Sequence, residues 1–302
     1  MTTPRAVFAG VATEDSIALV DRYPDADERV VADGMVFGGG GPAATAAVAA
    51  QRLGVPSAVI AAVGDDEAGD RVRARLAAEG VDVSGLVAVP GAETSRSIVI
   101  VSGRERTRAI VNRVGPRLDL SHASRAQELI SGAAWVHVDQ HGWQAVRDLR
   151  DRIPGPRLSI DAGNEIPGLA LDGTALFAPT REALERRYGG EDLDESMRRA
   201  IDEGADAVVV TDGGRGSFGL RADGERAAAT PPRADVVSTL GAGDVFHGAL
   251  IAGLLHADSG LLDGGFGGAV EYATTVATLS CRGLDGRTRI PDHDETIRAL
   301  AR

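Results

Sequence analysis

The repeated order of strand and helix patterns is the feature that most limits how this chain can fold. Apolar runs suited to buried strands, such as 55–63, 134–138 and 207–211, alternate with helical patterns such as 43–53 and 193–203. Because a helix after a strand carries the chain back across the sheet, this order predicts an α/β fold with a mostly parallel, doubly wound sheet and helices on both faces. In such a sheet, ligands bind beyond the carboxyl ends of the strands.

Two regions do not suit the interior of that sheet. The segments at about 12–38 and 94–114 mix polar and apolar side chains, notably in the strand expected at 29–37, as strands exposed on one face do. We therefore expect them to form a small β-sheet lid. With 43% hydrophobic residues the chain can bury one full core, so we expect a single domain spanning 1–302.

A turn of small residues opens a long helical segment near the C-terminal end. Gly241, Ala242 and Gly243 begin this segment, which runs to about Leu255. The first amides of a helix have no partner within it and lie at the positive end of its dipole, so they suit an anion such as a transferring phosphoryl group. Asp244 would repel that anion if it only filled space, but as a base it can take the proton of an attacking hydroxyl. This pairing suggests phosphoryl transfer to an alcohol.

Other interpretations of the two glycine-rich segments stay open at this point. Asp244 at a helix start is equally consistent with a helix cap, and the Gly-Ala-Gly turn with close packing. Gly39, Gly41 and Ala44 fit the loose fingerprint of a dinucleotide site, which would make the protein a nicotinamide-dependent oxidoreductase. Against that, the segment before this loop carries Asp33, where a buried parallel strand should be apolar.

The absence of lysine restricts how the protein can handle a phosphate group. All 32 residues counted as lysine or arginine are arginine. P-loop nucleotide triphosphatases and protein kinases place a lysine on the phosphates, and Schiff-base enzymes need a reactive lysine, so these classes are excluded. Phosphoryl chemistry in this chain must depend on backbone amides, arginine and metal.

Charge and cysteine content bear on partners and location. The formal net charge of -12 opposes nucleic-acid phosphates and anionic membranes, so we expect neither as a partner. Cys281 is the only cysteine, which excludes an internal disulfide and suits a reducing compartment. The N-terminal apolar run meets charged residues too soon for a signal peptide, and no segment is long enough to span a membrane. We therefore expect a cytoplasmic protein.

Two ordered motifs resemble the signatures of the ribokinase-like (PfkB) carbohydrate kinases. The first consists of Gly40 and Gly41 followed by 46–54 and 63–69, and the second is 239–246. With the parallel α/β pattern and the lid, the resemblance extends over nearly the whole chain. It implies a ribokinase-like three-layer αβα fold and ATP-dependent phosphorylation of a sugar hydroxyl.

The resemblance also implies roles for individual residues. Asp244 would be the catalytic base, and the amides of Gly241, Ala242 and Gly243 would bind the transferring group. The residues expected at the substrate are Asp15, Gly40, Gly41, Thr45, Asn112, Arg113 and His141, and those expected along ATP are Thr211, Gly213 and Gly216. A homodimer formed through the lid is also implied.

Cation binding departs from the usual family pattern. Mg²⁺ is expected because ATP chemistry needs its charge neutralised, but segment 179–183 lacks the Asn-x-x-Glu sequence that helps organise it, so its ligands stay unassigned. Ser238 replaces an aspartate that helps hold potassium in many members, so a monovalent cation is doubtful.

Details of both motifs are most similar to the sulfofructose kinase branch, which phosphorylates 6-deoxy-6-sulfofructose at its 1-hydroxyl. Asn112 fits a sulfonate contact of that branch, whereas an arginine expected near His141 is absent, so another arginine would have to bind the sulfonate. The candidates are Arg29, Arg108 and Arg113. Fructose phosphates, 2-keto-3-deoxy acids and nucleosides remain alternative substrates, and a non-catalytic sugar-binding sensor remains an alternative function.

Overall fold

The structure, a computed structural model, describes residues 4–105, 107–150, 153, 155–190 and 192–301. Its strands are β1 (Ala6–Gly10), β2 (Thr13–Val20), β3 (Gly34–Gly40), β4 (Ser57–Gly64), β5 (Val87–Val89), β6 (Arg96–Ser102), β7 (Thr107–Arg113), β8 (Trp135–Val138), β9 (Arg157–Asp161), β10 (Leu176–Ala178), β11 (Ala207–Thr211), β12 (Ser217–Arg221) and β13 (Arg226–Ala229). Its helices are α1 (Pro42–Arg52), α2 (Glu67–Ala78), α3 (Ser124–Gly132), α4 (Trp143–Arg147), α5 (Arg181–Tyr188), α6 (Leu193–Asp202), α7 (Ala242–Asp258), α8 (Gly265–Ser280) and α9 (His293–Leu300). In this described part of the chain, no helix has the length and apolar character needed to cross a membrane.

One large sheet runs through the centre of the molecule. Its strand order is β13-β12-β11-β10-β9-β8-β1-β4-β5, and every neighbouring pair is parallel except those that involve β12 and β13 at one edge. The chain runs outward from β1 through β4 in one direction and through β8 to β11 in the other. The carboxyl ends of β1, β8, β9 and β11 therefore meet at the same edge, where ligands bind in sheets of this type.

Side chains from the two faces of this sheet enter separate hydrophobic cores. Ala6 and Phe8 pack with α1, α7 and α8 on one face, whereas Val7 and Ala9 pack with α3, α4, α5 and α6 on the other. Since helices cover both faces, the structure has three layers. This arrangement confirms the predicted αβα fold.

The remaining strands form a second sheet, which we call the lid, in the order β3-β2-β6-β7. Strand β2 is antiparallel to β3 and parallel to β6, and β6 is antiparallel to β7. Ile17, Val99 and Val101 on one face of the lid pack against Leu240 and Leu284. The lid therefore rests on the loops that precede α7 and follow α8.

One lid strand differs from the expected position. The sequence predicted a strand at 29–37, but β3 begins at Gly34, opposite Leu19, and ends at Gly40, opposite Thr13. Residues 29–33 lie outside any strand, and Val31 is 87% exposed. The glycines of β3 have little strand preference of their own, so pairing with β2 fixes where this strand lies.

Candidate active site

A cavity of about 910 Å³ lies between the lid and the carboxyl ends of the parallel strands. Its walls come from the inward face of the lid and from the loops that follow β1, β8, β9 and β11. The expected site residues that line it are Asp15, Gly40, Gly41, Thr45, Asn112, His141, Thr211, Gly241, Gly243 and Asp244. Residues from both signature motifs therefore meet in one cavity, although they lie far apart in the sequence.

The turn that opens α7 presents backbone amides to this cavity. Gly241 is the N-cap of α7 and has a φ of 73°, a left-handed conformation that favours glycine. No side chain among the described residues caps this helix, so the amides of Gly243 and Asp244 stay available to an anion. The amide of Ala242 instead donates to the carbonyl of Thr239 at 3.3 Å, and Ala242 does not line the cavity. The anion-binding capacity of the turn therefore lies at Gly243 and Asp244.

The carboxyl group of Asp244 is partly buried at the cavity wall. Its burial and the negative charge of Asp161 raise its pKa to about 7, although the charges of His247 and Arg287 oppose this rise. A base works best when its pKa lies near the operating pH. Asp244 can therefore hold or release a proton at neutral pH, which a surface aspartate cannot do.

Behind Asp244 lies a buried pair of opposite charges. His247 is one helical turn beyond Asp244, and its Nε2 lies 3.2 Å from Oδ1 of Asp161. Burial raises the pKa of Asp161, but the charge of His247 and its hydrogen bond outweigh this and hold it well below the usual range. His137 stacks on His247 at a ring distance of 5.2 Å, and burial lowers its pKa to about 3. His247 and Asp161 therefore favour each other's charged form, and the neighbouring imidazole of His137 is neutral.

A row of polar side chains crosses the inward face of the lid. Asp15 of β2 lies opposite Ser97 of β6, which lies opposite Asn112 of β7, and all three line the cavity. Oδ1 of Asp15 accepts a hydrogen bond from Oγ1 of Thr13 at 2.7 Å. The burial of Asp15 raises its pKa, and its hydrogen bonds and the charge of Arg287 oppose that rise. The row offers hydrogen-bond donors and acceptors that suit the hydroxyl groups of a sugar.

The glycine-rich loop joins the lid to α1. Gly40 ends β3, and Gly41 precedes α1 with a φ of 90°. The Gly40 carbonyl and the Thr45 hydroxyl both accept hydrogen bonds from the guanidinium of Arg287. Because this loop follows a lid strand, and not a strand of the central sheet, its geometry differs from that of a dinucleotide-binding loop.

The arginines considered for anion binding have different positions. Arg113 points away from the cavity, because its guanidinium pairs with the Glu93 carboxylate at 2.5 Å. Arg29 is exposed and does not line the cavity. Arg108 does line it, and its Nη1 donates to Oγ1 of Thr239 at 3.2 Å. The structure therefore brings Arg108 to the turn before α7 and leaves Arg29 and Arg113 outside.

Thr211 and the loop after it lie only partly in the cavity. Thr211 ends β11 and lines the wall, whereas Gly213 and Gly216 follow outside that lining. Asp212 in this loop pairs with Arg181 and Arg215, with the shorter contact of 2.6 Å to Arg215. The loop is therefore tied to α5 at the rim of the cavity.

Asp139 is a structural anchor that sequence analysis did not single out. Its carboxylate accepts hydrogen bonds from the amides of Val11, Ala43, His141 and Gly142, at 2.9, 3.2, 2.8 and 3.0 Å. These bonds join the ends of β1 and β8 to the start of α1, and they hold His141 at the cavity wall. The one sequence signal for this anchor was that Asp139 directly follows an apolar strand, where site residues lie in sheets of this type.

A partly buried carboxyl group beside free helix amides, at the ligand edge of a doubly wound sheet, suits an enzyme of the class that transfers a phosphoryl group to an alcohol. Residues 5–292 match the sequence profile described as pfkB family carbohydrate kinase. The chain belongs to this family and is therefore an ATP-dependent carbohydrate kinase. This membership favours the kinase interpretation over the oxidoreductase.

Individual relatives agree with this assignment. The chain is 28% identical over 311 residues to an ATP-dependent ribose-1-phosphate kinase of Halopiger xanaduensis, covering 98% of each protein. It is 26% identical to a fructokinase of Rhizobium leguminosarum bv. trifolii, covering 78% of this chain and 77% of the relative. The crystal structure of Thermotoga maritima ribokinase superposes with a TM-score of 0.83 at 19% identity and covers all of both chains. Proteins named for different sugar substrates are thus similar to this chain.

Proposed function

We propose that this kinase phosphorylates a ketose or an anionic ketose, such as 6-deoxy-6-sulfofructose at its 1-hydroxyl. The observation that carries the proposal is that the Asp244 carboxyl and the free amides of the α7 turn face one cavity with the polar lid row. Asp244 takes the proton of the sugar hydroxyl while the hydroxyl oxygen bonds to the γ-phosphorus of ATP. The bond between that phosphorus and the bridging oxygen breaks, and ADP leaves.

The amides at Gly243 and Asp244 stabilise negative charge on the transferring oxygens. A preorganised donor of this kind contributes about 3–4 kcal/mol to lowering the barrier. The described residues contain no cluster of three or more acidic, histidine or cysteine side chains that suits a metal ion. Mg²⁺ still fits the cavity without such a cluster, because it commonly binds through substrate phosphates, waters and one or two carboxylates. When bound, it would neutralise the phosphate charge.

The sugar and the nucleotide occupy opposite ends of the cavity in this proposal. Asp15 and Asn112 in the lid row bind sugar hydroxyls or an anionic group, together with Gly40, Gly41, Thr45 and His141, which also line the cavity. Thr211 and the following loop with Gly213 and Gly216 bind ATP. Arg108 is the arginine best located to bind a sulfonate or phosphate of the substrate, since Arg113 is paired elsewhere.

We also propose that the protein is a homodimer formed through the lid. Each chain is a single domain, and the enzyme acts in the cytoplasm. The outward face of the lid carries apolar side chains that this chain leaves exposed, namely Met35, Phe37, Ile98 and Val111, with exposed fractions of 62%, 65%, 59% and 69%. Phe37, Ile98 and Val111 lie in one row across the sheet, separated only by Ser16. A second copy of this face would bury them. Dependence on a monovalent cation is not part of the proposal.

A panel of acceptors tests the substrate. ATP consumption is measured with fructose, fructose 1-phosphate, fructose 6-phosphate, 6-deoxy-6-sulfofructose, 2-keto-3-deoxygluconate, ribose 1-phosphate and adenosine, each with Mg²⁺ present. We expect the highest kcat/KM with a ketose. A preference for ribose 1-phosphate, the keto-deoxy acid or the nucleoside would contradict the ketose proposal, and tight sugar binding without turnover would indicate a sensor.

A further inference from the structure

Arg287 stands out among the arginines of this chain because it is buried. Its side chain lies in the loop between α8 and α9, and the residue is only 8% exposed. Among the described residues, no other arginine is buried. Burying a charge is costly unless hydrogen bonds and opposite charges compensate it, so its contacts must account for its position.

The guanidinium of Arg287 binds the glycine-rich loop. Its Nη2 donates to the carbonyl of Gly40 at 2.8 Å, and its Nε donates to Oγ1 of Thr45 at 3.2 Å. A Cβ on Gly39 would overlap the Nη1 of this guanidinium. The lack of a side chain at Gly39 therefore leaves room for an arginine from the far end of the chain.

The same loop contacts the turn that binds the phosphoryl group. Gly286 lines the cavity, and a Cβ on Gly241 would approach the Gly286 Cα to 2.9 Å. The carboxylate of Asp285 accepts hydrogen bonds from the amides of Arg287 and Thr288, at 3.2 and 2.7 Å, which holds this loop in shape. Neighbouring residues of one short loop thus contact both halves of the site.

The charge of Arg287 also acts on both carboxyl groups of the site. Burial lowers its pKa to about 10, so the guanidinium stays charged at neutral pH. Its charge opposes the rise in the pKa of Asp15 on the lid and of Asp244 on α7. The positive charge of this side chain therefore favours the ionised form of both carboxyl groups.

We propose that Arg287 is a positioning residue that fixes the glycine-rich loop relative to the turn before α7, so that the sugar hydroxyl and the phosphoryl group meet at Asp244. This inference rests on the proposed function for the sugar, but the contacts themselves do not depend on it. Arg287 donates from two different nitrogens to Gly40 and Thr45, whereas a lysine carries all its donor hydrogens on one nitrogen and lacks the planar fork of the guanidinium. Lysine should therefore replace it only in part.

Hydrogen exchange tests the loop without any substrate. We compare the wild type with Arg287→Lys and Arg287→Met by mass spectrometry of peptides covering 34–53. Loss of the guanidinium should speed exchange at 39–45 in both variants, more in Arg287→Met, because the loop loses its hydrogen-bond donors. Arg282→Lys is the matched control, since Arg282 lies in the same loop and pairs with Glu295 at 2.7 Å away from the cavity. If Arg287→Met does not fold, Arg287→Lys decides the result.

Kinetics test the consequence for the reaction. With the ketose of highest kcat/KM in the acceptor panel, KM for the sugar should rise about tenfold or more in Arg287→Lys, as expected for lost hydrogen bonds to a charged group, while KM for ATP stays within about twofold. Unchanged exchange at 39–45, or equal changes in both KM values, would overturn the inference. If no acceptor is phosphorylated by the wild type, the proposed function fails, and the exchange experiment still decides whether Arg287 holds the loop.

Discussion

The charge on Asp244 is set by its surroundings, and this gives the enzyme a defined response to pH. Since only the ionised carboxylate can accept the hydroxyl proton, kcat/KM should fall about tenfold per pH unit below about 7 and level off above it, following the raised pKa. Asp244→Asn should lower kcat by about 10²–10⁴-fold while ATP binding is retained. A pH–rate profile and ATP titration check this, and a flat profile between pH 5 and 7 would contradict it.

His247 has a separate effect on the same group. Its positive charge lowers the pKa of Asp244, whereas Asp161 raises it. His247→Asn should therefore move the acid limb of the kcat/KM profile to higher pH, because the remaining charge of Asp161 opposes ionisation of Asp244. His122→Asn, at an exposed position, is the control and should leave the profile unchanged. If the acid side of the kcat/KM profile stays in place or moves to lower pH, then His247 and Asp161 do not control the pKa of Asp244.

Local patterns marked only some of the expected site residues. The turn at 241–243 and Asp244 were marked by a helix start, whereas Asp15 was expected only from the resemblance to the carbohydrate kinases. Arg287 had no such mark, because its acceptor at Gly40 lies 247 positions away. The side to which Arg113 points also could not be predicted, since it follows from the register between β6 and β7 and from the nearby Glu93.

Among the elements, the contact between α1 and α7 depends on the absence of a side chain. A Cβ on Gly248 would overlap the carbonyl of Ala46, so Gly248→Ala should push the two helices apart. We expect a loss of about 1–3 kcal/mol in the free energy of unfolding, as for other overpacked cores. Gly267→Ala is the matched control, because nothing lies within 4 Å of its added Cβ in α8. Thermal denaturation measures both, and equal midpoints for the two variants would contradict the steric explanation.

Elements with sharply bounded patterns were predicted from the sequence more accurately than the edge strands of the large sheet. Strand β11 has the predicted limits of 207–211, and α6 begins at Leu193 as predicted and ends one residue before the expected 203. The edge strands β5, β12 and β13 were not assigned, since they are short and form only through pairing with a neighbour. The displaced start of β3 has the same cause, because its partner β2 determines its register.

For the whole molecule, the lid face provides the test of assembly. Phe37→Asp places a charge in the middle of the exposed apolar row, so it should convert a dimer to a monomer in analytical ultracentrifugation. Leu261→Asp is the control, since Leu261 is 63% exposed but lies on a different surface, beside α9. A monomeric wild type, or a variant that remains dimeric, would contradict assembly through the lid.

The bond between Arg287 and the Gly40 carbonyl also determines when the site can be completed during synthesis. The residues it joins are 247 positions apart, so a growing chain has made the lid, the central sheet and the base long before the arginine leaves the ribosome. Until then the glycine-rich loop lacks its donor, and Asp15 and Asp244 lack the positive charge of Arg287. Any chain that ends before this loop, through early termination or proteolysis, would retain Asp244, the proposed base, without the arginine that binds the glycine-rich loop.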